Sequence, residues 1–527
     1  MELEKLLELE QATHRGRREM FRLGTALLFL VGIILYITMR GGEISVSLVV
    51  AAMIGGYMAL NIGANDVANN VGPAVGSKAL TLTGAIFIAA IFEAAGALIA
   101  GGDVVGTIKS GIIHPSALAD REVFIWLMTA ALLAGALWLN IATASGAPVS
   151  TTHSIVGGVL GAGIAAGIAA GGWGVADWNQ VGQIVASWII SPVLGGLIAA
   201  GFLYLIKRTI TYKPDMLLAS RKMVPLLLAL MAWAFTTYLV MKGLKEIWKV
   251  SFGGAALIGL GFAVATQVIT RPRVAAASLR HENSKQGVNK LFTLPLIFSA
   301  ALLSFAHGAN DVANAVGPLA AINEAVMHGA VAAKASIPVW VMLVGAIGIS
   351  LGLALYGPKL IKTVGSGITE LDQMRAFCIA MAAAITVIVA SQLGLPVSST
   401  HIAVGAIFGV GFLREYIKAN YGRMIETIEE HHLGDDREIV EAYLEKFHRA
   451  DFEEKGAMLA RLRESKQAVA DSHLSKKERK GLKNIYRQEL VKRSALMRII
   501  AAWLITVPVS AFMAAILFFT IRGMMLP

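Results

Sequence analysis

The sequence predicts an all-α polytopic membrane protein of two inverted repeats with broken or re-entrant helices, about 12–13 transmembrane helices in all. Three observations predict it. Apolar runs near the roughly 20 residues that cross a bilayer recur along the chain, including 23–39, 80–100, 124–144, 184–206, 226–241, 337–356, 376–391 and 499–520. Two motifs each occur twice, in the same order in each half: Gly63-Ala-Asn-Asp-Val-Ala-Asn69 returns as Gly308-Ala-Asn-Asp-Val-Ala-Asn314, and Pro148-Val-Ser-Thr-Thr-His153 as Pro396-Val-Ser-Ser-Thr-His401. A weaker pair is Thr107-Ile-Lys-Ser-Gly-Ile112 against Thr363-Val-Gly-Ser-Gly-Ile368. Between the two Asn-Asp motifs lie about seven passages, an odd number, so the second half enters the membrane from the opposite side.

Composition agrees. Of 527 residues, 56% are hydrophobic and 15% charged, against about 25% charged in soluble domains, and the mean hydropathy is +0.65. The net charge of +11 reads as loop topology rather than nucleic-acid binding, because Lys and Arg collect in cytoplasmic loops. Cys378 is the sole cysteine, which excludes an intramolecular disulfide and a four-cysteine metal site. No GxxxxGK[ST] phosphate loop occurs.

Taken in order, residues 1–44 form a tail with Arg15, Arg17, Arg18 and Arg22, then an extra membrane helix. By the positive-inside rule the tail places the N-terminus in the cytoplasm; the location expected is the cell membrane, multi-pass, in a bacterial inner membrane. Arg40-Gly41-Gly42 follows the run where a signal peptide would show small cleavage-site residues. Residues 45–206 are transport repeat 1. Residues 207–290 connect the repeats through two membrane helices. Their basic ends, Lys207 to Lys222 and Arg271 to Lys290, face the cytoplasm, and the stretch near Asp177, free of Lys and Arg, faces outward. Residues 291–413 begin repeat 2, and 496–527 supply its last membrane helix. Between them, 414–495 is dense in both signs of charge, with Leu444, Phe447, Phe452 and Leu459 at helical spacing. It reads as a cytoplasmic helical insertion, either a solvated hairpin or the dock of a regulator.

The doubled motifs carry the chemistry. A carboxylate in hydrocarbon costs about 2.5–3.5 kcal/mol on insertion scales, so an intramembrane Asp marks a functional cavity. Asp66 and Asp311 stand at matched places. Neighbouring Gly63, Gly72, Pro73, Gly308, Gly317 and Pro318 are expected to interrupt the helices and free backbone carbonyls. Asp66 and Asn69 share a helix face, as do Asp311 and Asn314. With Asn65 and Asn310 they form a hard-oxygen set suited to cations such as sodium; the bland alternative is interhelical hydrogen bonding. With no His or Cys inside the motif, a soft-metal site is not expected.

Ser150, Thr151 and Thr152, and Ser398, Ser399 and Thr400, follow Pro and open apolar helices. Simple capping explains a hydroxyl there. Within a membrane, the free amides and positive dipole end also attract anions, and three hydroxyls add donors without charge. Two such N-termini would surround a tetrahedral oxyanion, and cations on Asp66 and Asp311 would neutralise it. His153 and His401 close the motifs as packing residues or proton carriers. Glu93 and Lys109 are accessory candidates, a cation partner and an anion entrance, with Ile349 and Gly365 opposite them in repeat 2.

The paired G-A-N-D-V-A-N and P-V-S-[ST]-T-H motifs resemble those of the inorganic phosphate transporter (PiT) family of sodium– or proton–phosphate symporters, over approximately residues 45–413 and the last helix. The resemblance implies phosphate between the two Ser/Thr motifs and cations at the two Asp-Asn motifs, with sodium at Asp66, Asn69, Asp311 and Asn314. Some proton-coupled bacterial members carry His before the motif Asp; Asn65 and Asn310 are similar to the sodium-dependent branch. The large insertion lies within the second half here, whereas animal members carry theirs between the halves. The function expected is phosphate import by cation symport through alternating access, sodium favoured and protons the alternative. No cofactor beyond coupling ions and no enzymatic activity are expected, and a second copy in a homodimer is a candidate partner. Competing readings are a sulfate permease of the same family, an anion channel, which would not need two acids, and an intramembrane hydrolase using Ser150 and His153, for which duplication has no motive.

Overall fold

The computed structural model describes residues 2–39, 45–114, 117–118, 120–145, 149–170, 172, 174–243, 250–329, 337–367, 371–419, 435–449, 458, 461–462, 474–475 and 493–525. In chain order the helices are α1 (Glu2–Met39), α2 (Val46–Asn65), α3 (Val67–Gly76), α4 (Leu82–Ala100), α5 (Gly102–Ser110), α6 (Arg121–Ser145), α7 (Thr151–Ala169), α8 (Trp178–Ile206), α9 (Met216–Gly243), α10 (Phe252–Ser278), α11 (Lys285–Leu291), α12 (Thr293–His328), α13 (Val339–Gly367), α14 (Gln373–Gln392), α15 (Ser399–Ala419), α16 (Asp435–Arg449) and α17 (Arg493–Met525). A π-helical turn, Lys207–Thr211, prolongs α8. Among the described residues no strand occurs, and 12 helical stretches are long and apolar enough to cross a membrane. The chain is an all-α polytopic membrane protein. Helix is what the bilayer demands, because backbone N–H and C=O groups find no water there.

Side-chain caps mark the helix starts. Ser45, Thr81, Asp177, Ser251 and Asp372 each accept from a backbone N–H three residues on, satisfying a donor the helix leaves free. Burial then sorts centre from rim. In the most apolar window of α12, 89% of residues are buried, against 11% in α1 and 17% in α10. The motif helix is therefore the axis of the molecule, and α1 and α10 present their apolar sides outward, as lipid contact requires.

The interfaces come in exchanged pairs. α2 packs on α13 as α12 packs on α4; α7 packs on α17 as α15 packs on α8; α6 packs on α17 as α14 packs on α8. Most of the tight crossings join the two halves, and α9 and α10 pair with each other beside them. Glycine makes the crossings possible. A Cβ on Gly63 or Gly352 would strike the backbone of Ile349 or Leu60 between α2 and α13. Gly96 and Gly308 meet Phe305 and Glu93 in the same way between α4 and α12.

The expected break at the Asn-Asp motifs is absent from the second copy and confined to a single residue in the first. α12 runs unbroken through Asn310, Asp311 and Pro318. In the first copy only Asp66 separates α2 from α3, and its φ of −81° and ψ of −36° are still helical. Gly63 and Gly308 serve close packing rather than chain reversal. The non-helical backbone lies instead ahead of the hydroxyl motifs, at residues 149–150 and 393–398, where Gly394 takes a φ of 67°. In the charged insertion α16 buries Val440, Leu444 and Phe447 against Leu462 and Leu474. Phe452 and Leu459 lie outside the described residues, as do 420–434 and 476–492. So do Pro148 and Ile368 of the repeated motifs.

Candidate functional site

Four elements converge on one buried cluster: the α2–α3 junction and α12 bring acids and amides, and the first turns of α7 and α15 bring hydroxyls. The hydroxyl helices meet end to end. Thr152 Oγ1 donates to the Val397 carbonyl at 3.0 Å, and the rings of His153 and His401 stand edge to face at 4.2 Å. Trp188 lies 3.8 Å beyond His153 and Trp503 3.5 Å beyond His401, so four rings form a row. Both nitrogens of His153 and Nε2 of His401 are buried without a hydrogen-bond partner.

Ser150 Oγ accepts from the His153 amide at 3.1 Å, and Ser398 Oγ from the His401 amide at 3.2 Å. These two hydroxyls are helix caps, turned onto their own helices. Thr151, Thr152 and Thr400 face across to the acid–amide helices. Asn69 Nδ2 donates to Thr400 Oγ1 at 2.8 Å, and in the matching place Asn314 Nδ2 donates to Thr151 and Thr152 at 3.1 and 3.2 Å. Each motif helix is thus stitched to the hydroxyl helix of the other half. Ser399 Oγ is buried without a partner.

The Asn before each Asp holds the chain ahead of a hydroxyl helix. Asn310 donates to Ser391 Oγ and the Leu395 carbonyl and accepts from Val397 N. Asn65, with its amide oriented to satisfy both ends, accepts from Thr143 and donates to the Val149 carbonyl and Asp66 Oδ1.

At the centre, Thr151 Oγ1 lies 2.6 Å from Asp66 Oδ2 and 3.3 Å from Asp311 Oδ2. One hydroxyl proton serves one oxygen at a time, so the two carboxylates share it. His307 completes the cluster. Its Nδ1 is 2.7 Å from Glu93 Oε2, and its Nε2 is 3.0 Å from Asp311 Oδ2, at ion-pair distance without hydrogen-bond alignment. Asn70 donates to the other Glu93 oxygen at 2.8 Å. Asp66, His307 and Asp311 each offer a ligand atom within 4.8 Å of the others, and Asp311 Oδ1 and Asn314 Oδ1 are buried acceptors without a donor.

Electrostatics sets what this cluster can do. Asp66, Glu93, Asp311 and His307 are each at most 1% exposed. Three carboxylates against one imidazole leave an excess of at least two negative charges when all three acids are ionised, which a low-dielectric interior does not tolerate uncompensated. Bound cations or protons must supply the difference. The orphan oxygens suit a hard cation; the doubly faced imidazole suits a proton.

His307 is the residue that reading the motifs missed. It stands immediately before Gly308, where the first copy has Ile62, so a search for duplicated residues passes over it. The spacing of His307 to Asp311, one turn apart on a helix, was the available signal. Glu93 is its partner rather than an isolated cation ligand. Lys109, expected at an anion entrance, is buried in an ion pair with Glu324 of α12.

Known proteins share this chain's pattern. A model of the phosphate transporter family matches residues 62–514. A protein of Helicobacter pylori strain J99, provisionally named a phosphate permease, is 52% identical over 98% of both chains. One of Pyrococcus horikoshii, provisionally named likewise, is 37% identical over 70% of this chain and 89% of its own. The solved structure of a sodium-dependent phosphate transporter superposes with a TM-score of 0.74 at 31% identity, covering 92% of this chain and all of that one. The relatives of this chain carry the names of permeases rather than of enzymes. With this fold and matches across nearly its full length, the chain belongs to the phosphate transporter family.

Proposed function

We propose that this protein moves inorganic phosphate across the membrane by symport with sodium ions, through alternating access of two inverted repeats. One observation carries the reading: acids from both motif helices, Asp66 and Asp311, meet on Thr151 at the start of a hydroxyl-bearing helix. Cation ligands and anion donors are thereby one cluster. A cation drawing Asp66 and Asp311 to itself frees Thr151 for the anion, and the anion's charge in turn favours the cation. Binding of each strengthens the other, as linkage requires. Ser399 and Thr400 supply matching donors from the second helix. The exchanged interfaces favour inverted repeats, and the likeness to a sodium-dependent phosphate transporter favours sodium.

The test is phosphate uptake into proteoliposomes under an imposed sodium gradient at constant pH, with uptake expected to follow the gradient. One observation favours a second reading, proton coupling: His307 faces Glu93 with one nitrogen and Asp311 with the other. Uptake driven equally well by a pH gradient without sodium, and lost in His307→Gln, would establish that reading and displace the first.

A further inference from the structure

Away from the transport cluster, a cavity of about 1050 Å³ opens where α8 passes through its π-helical turn into α9. Both helices are among the twelve long enough to span a bilayer, so their joined ends lie at the membrane boundary. The chain there is held in place: Asn283 accepts from Met216 N at 2.9 Å and donates to the Pro214 carbonyl at 2.9 Å, clamping the bend. Three cations line the cavity, Arg208, Lys213 and Lys222, and all three are exposed. The one acid in its lining, Asp215, is occupied as the cap of α9, accepting from Leu218 N at 2.8 Å. Tyr204 adds a hydroxyl within reach of Arg208 at 3.4 Å. On the side of the spanning helices the wall is apolar and uncovered, with Leu205 and Leu218 40% and 50% exposed.

A cationic mouth over an apolar wall at the end of membrane helices has a definite complement. We propose that this cavity holds the headgroup of an anionic phospholipid, its phosphodiester against Arg208, Lys213 and Lys222 and its upper acyl chain along Leu205 and Leu218. Free phosphate would satisfy the cations and leave the apolar wall uncovered. A zwitterionic lipid would bring its own cation into a site that already has three.

Delipidated full-length protein is titrated in detergent with phosphatidylglycerol or phosphatidylcholine, and bound lipid is counted by native mass spectrometry. Phosphatidylglycerol is expected to be retained in preference to phosphatidylcholine. Each of Arg208→Gln, Lys213→Gln and Lys222→Gln should weaken retention about fivefold and the triple variant on the order of a hundredfold, since each cation near a membrane surface contributes about that much. Excess inorganic phosphate should leave the lipid bound. Equal retention of the two lipids, equal retention by the triple variant, or displacement by inorganic phosphate would each overturn the proposal. The single variants sit at exposed positions, and unchanged melting temperatures establish that they are folded.

Discussion

At Thr151 a single hydroxyl is contested by two acids, and this defines the most sensitive positions in the molecule. Asp66→Asn and Asp311→Asn keep the shape and remove the charge. Each is expected to abolish cation-coupled phosphate uptake while the protein still reaches the membrane, as measured by transport and by membrane yield together. Normal uptake with unaltered cation dependence in either variant would remove the cation-site assignment. Thr151→Ala deletes a donor to a charged group, worth about 1.5–3 kcal/mol, so the half-saturating phosphate concentration should rise about tenfold or more. Ser150→Ala should behave differently. Its oxygen already accepts from the His153 amide, so the loss should appear as thermal stability, about 1 kcal/mol for a cap, with phosphate affinity little changed. A Ser150→Ala effect on affinity equal to that of Thr151→Ala would contradict this division of roles. These residues were legible in the sequence because they are doubled: Asp66, Asn69, Asp311 and Asn314 announce themselves by recurrence. Duplication is blind to what one half owns alone. His307, with Ile62 at the matching place, emerged only when the fold brought it within hydrogen-bond distance of Glu93, which the sequence had offered as a cation partner without showing its neighbour. Likewise, three consecutive hydroxyls in a sequence do not tell a cap from a donor, since that depends on which way each rotamer turns.

Among the helices, the decisive contacts are backbone against backbone. Gly308 of α12 lies so close to Glu93 of α4 that a methyl group there meets main-chain atoms, which cannot move aside as a flexible side chain would. Gly308→Ala is therefore expected to cost about 1–3 kcal/mol from overpacking and to displace Glu93 from His307. The expected outcome is a lowered melting temperature in detergent with impaired uptake. Gly253, near the start of α10, has open space where a methyl group would stand, with nothing within 4 Å, and Gly253→Ala serves as the neutral control. Equal melting temperatures for the two variants would refute the close-approach argument. This also explains why α12 was expected to break and did not, and why the first copy is interrupted at Asp66 alone. Glycine and proline in a soluble sequence punctuate helices, but in a bundle glycine lets axes approach, and Pro318 is accommodated inside α12. Sequence alone records the residue and not which demand it answers.

Across the whole molecule, the two motif pairs lie within residues 62–401 and the charged insertion carries none of them. Deleting residues 420–490 is expected to leave phosphate uptake in place, with any change confined to its rate or regulation; total loss of uptake in a properly inserted deletion would show that the segment belongs to the transport core.

The exchange of partners between halves reaches back to the ribosome. α7 is made early, yet its close neighbour is α17: a methyl group on Gly157 or Gly161 would meet the backbone of Val507 or Ala511. For most of translation that glycine-lined flank has no mate. The nascent chain must hold the first repeat in the bilayer half-assembled until the final helix emerges. A chain stopped before Arg493 would contain every motif residue and still lack the piece that closes the bundle. Such a truncation should be degraded or inactive, and supplying residues 493–527 as a separate polypeptide should restore uptake. Activity in the truncated chain alone would show that the bundle can close around α7 without α17.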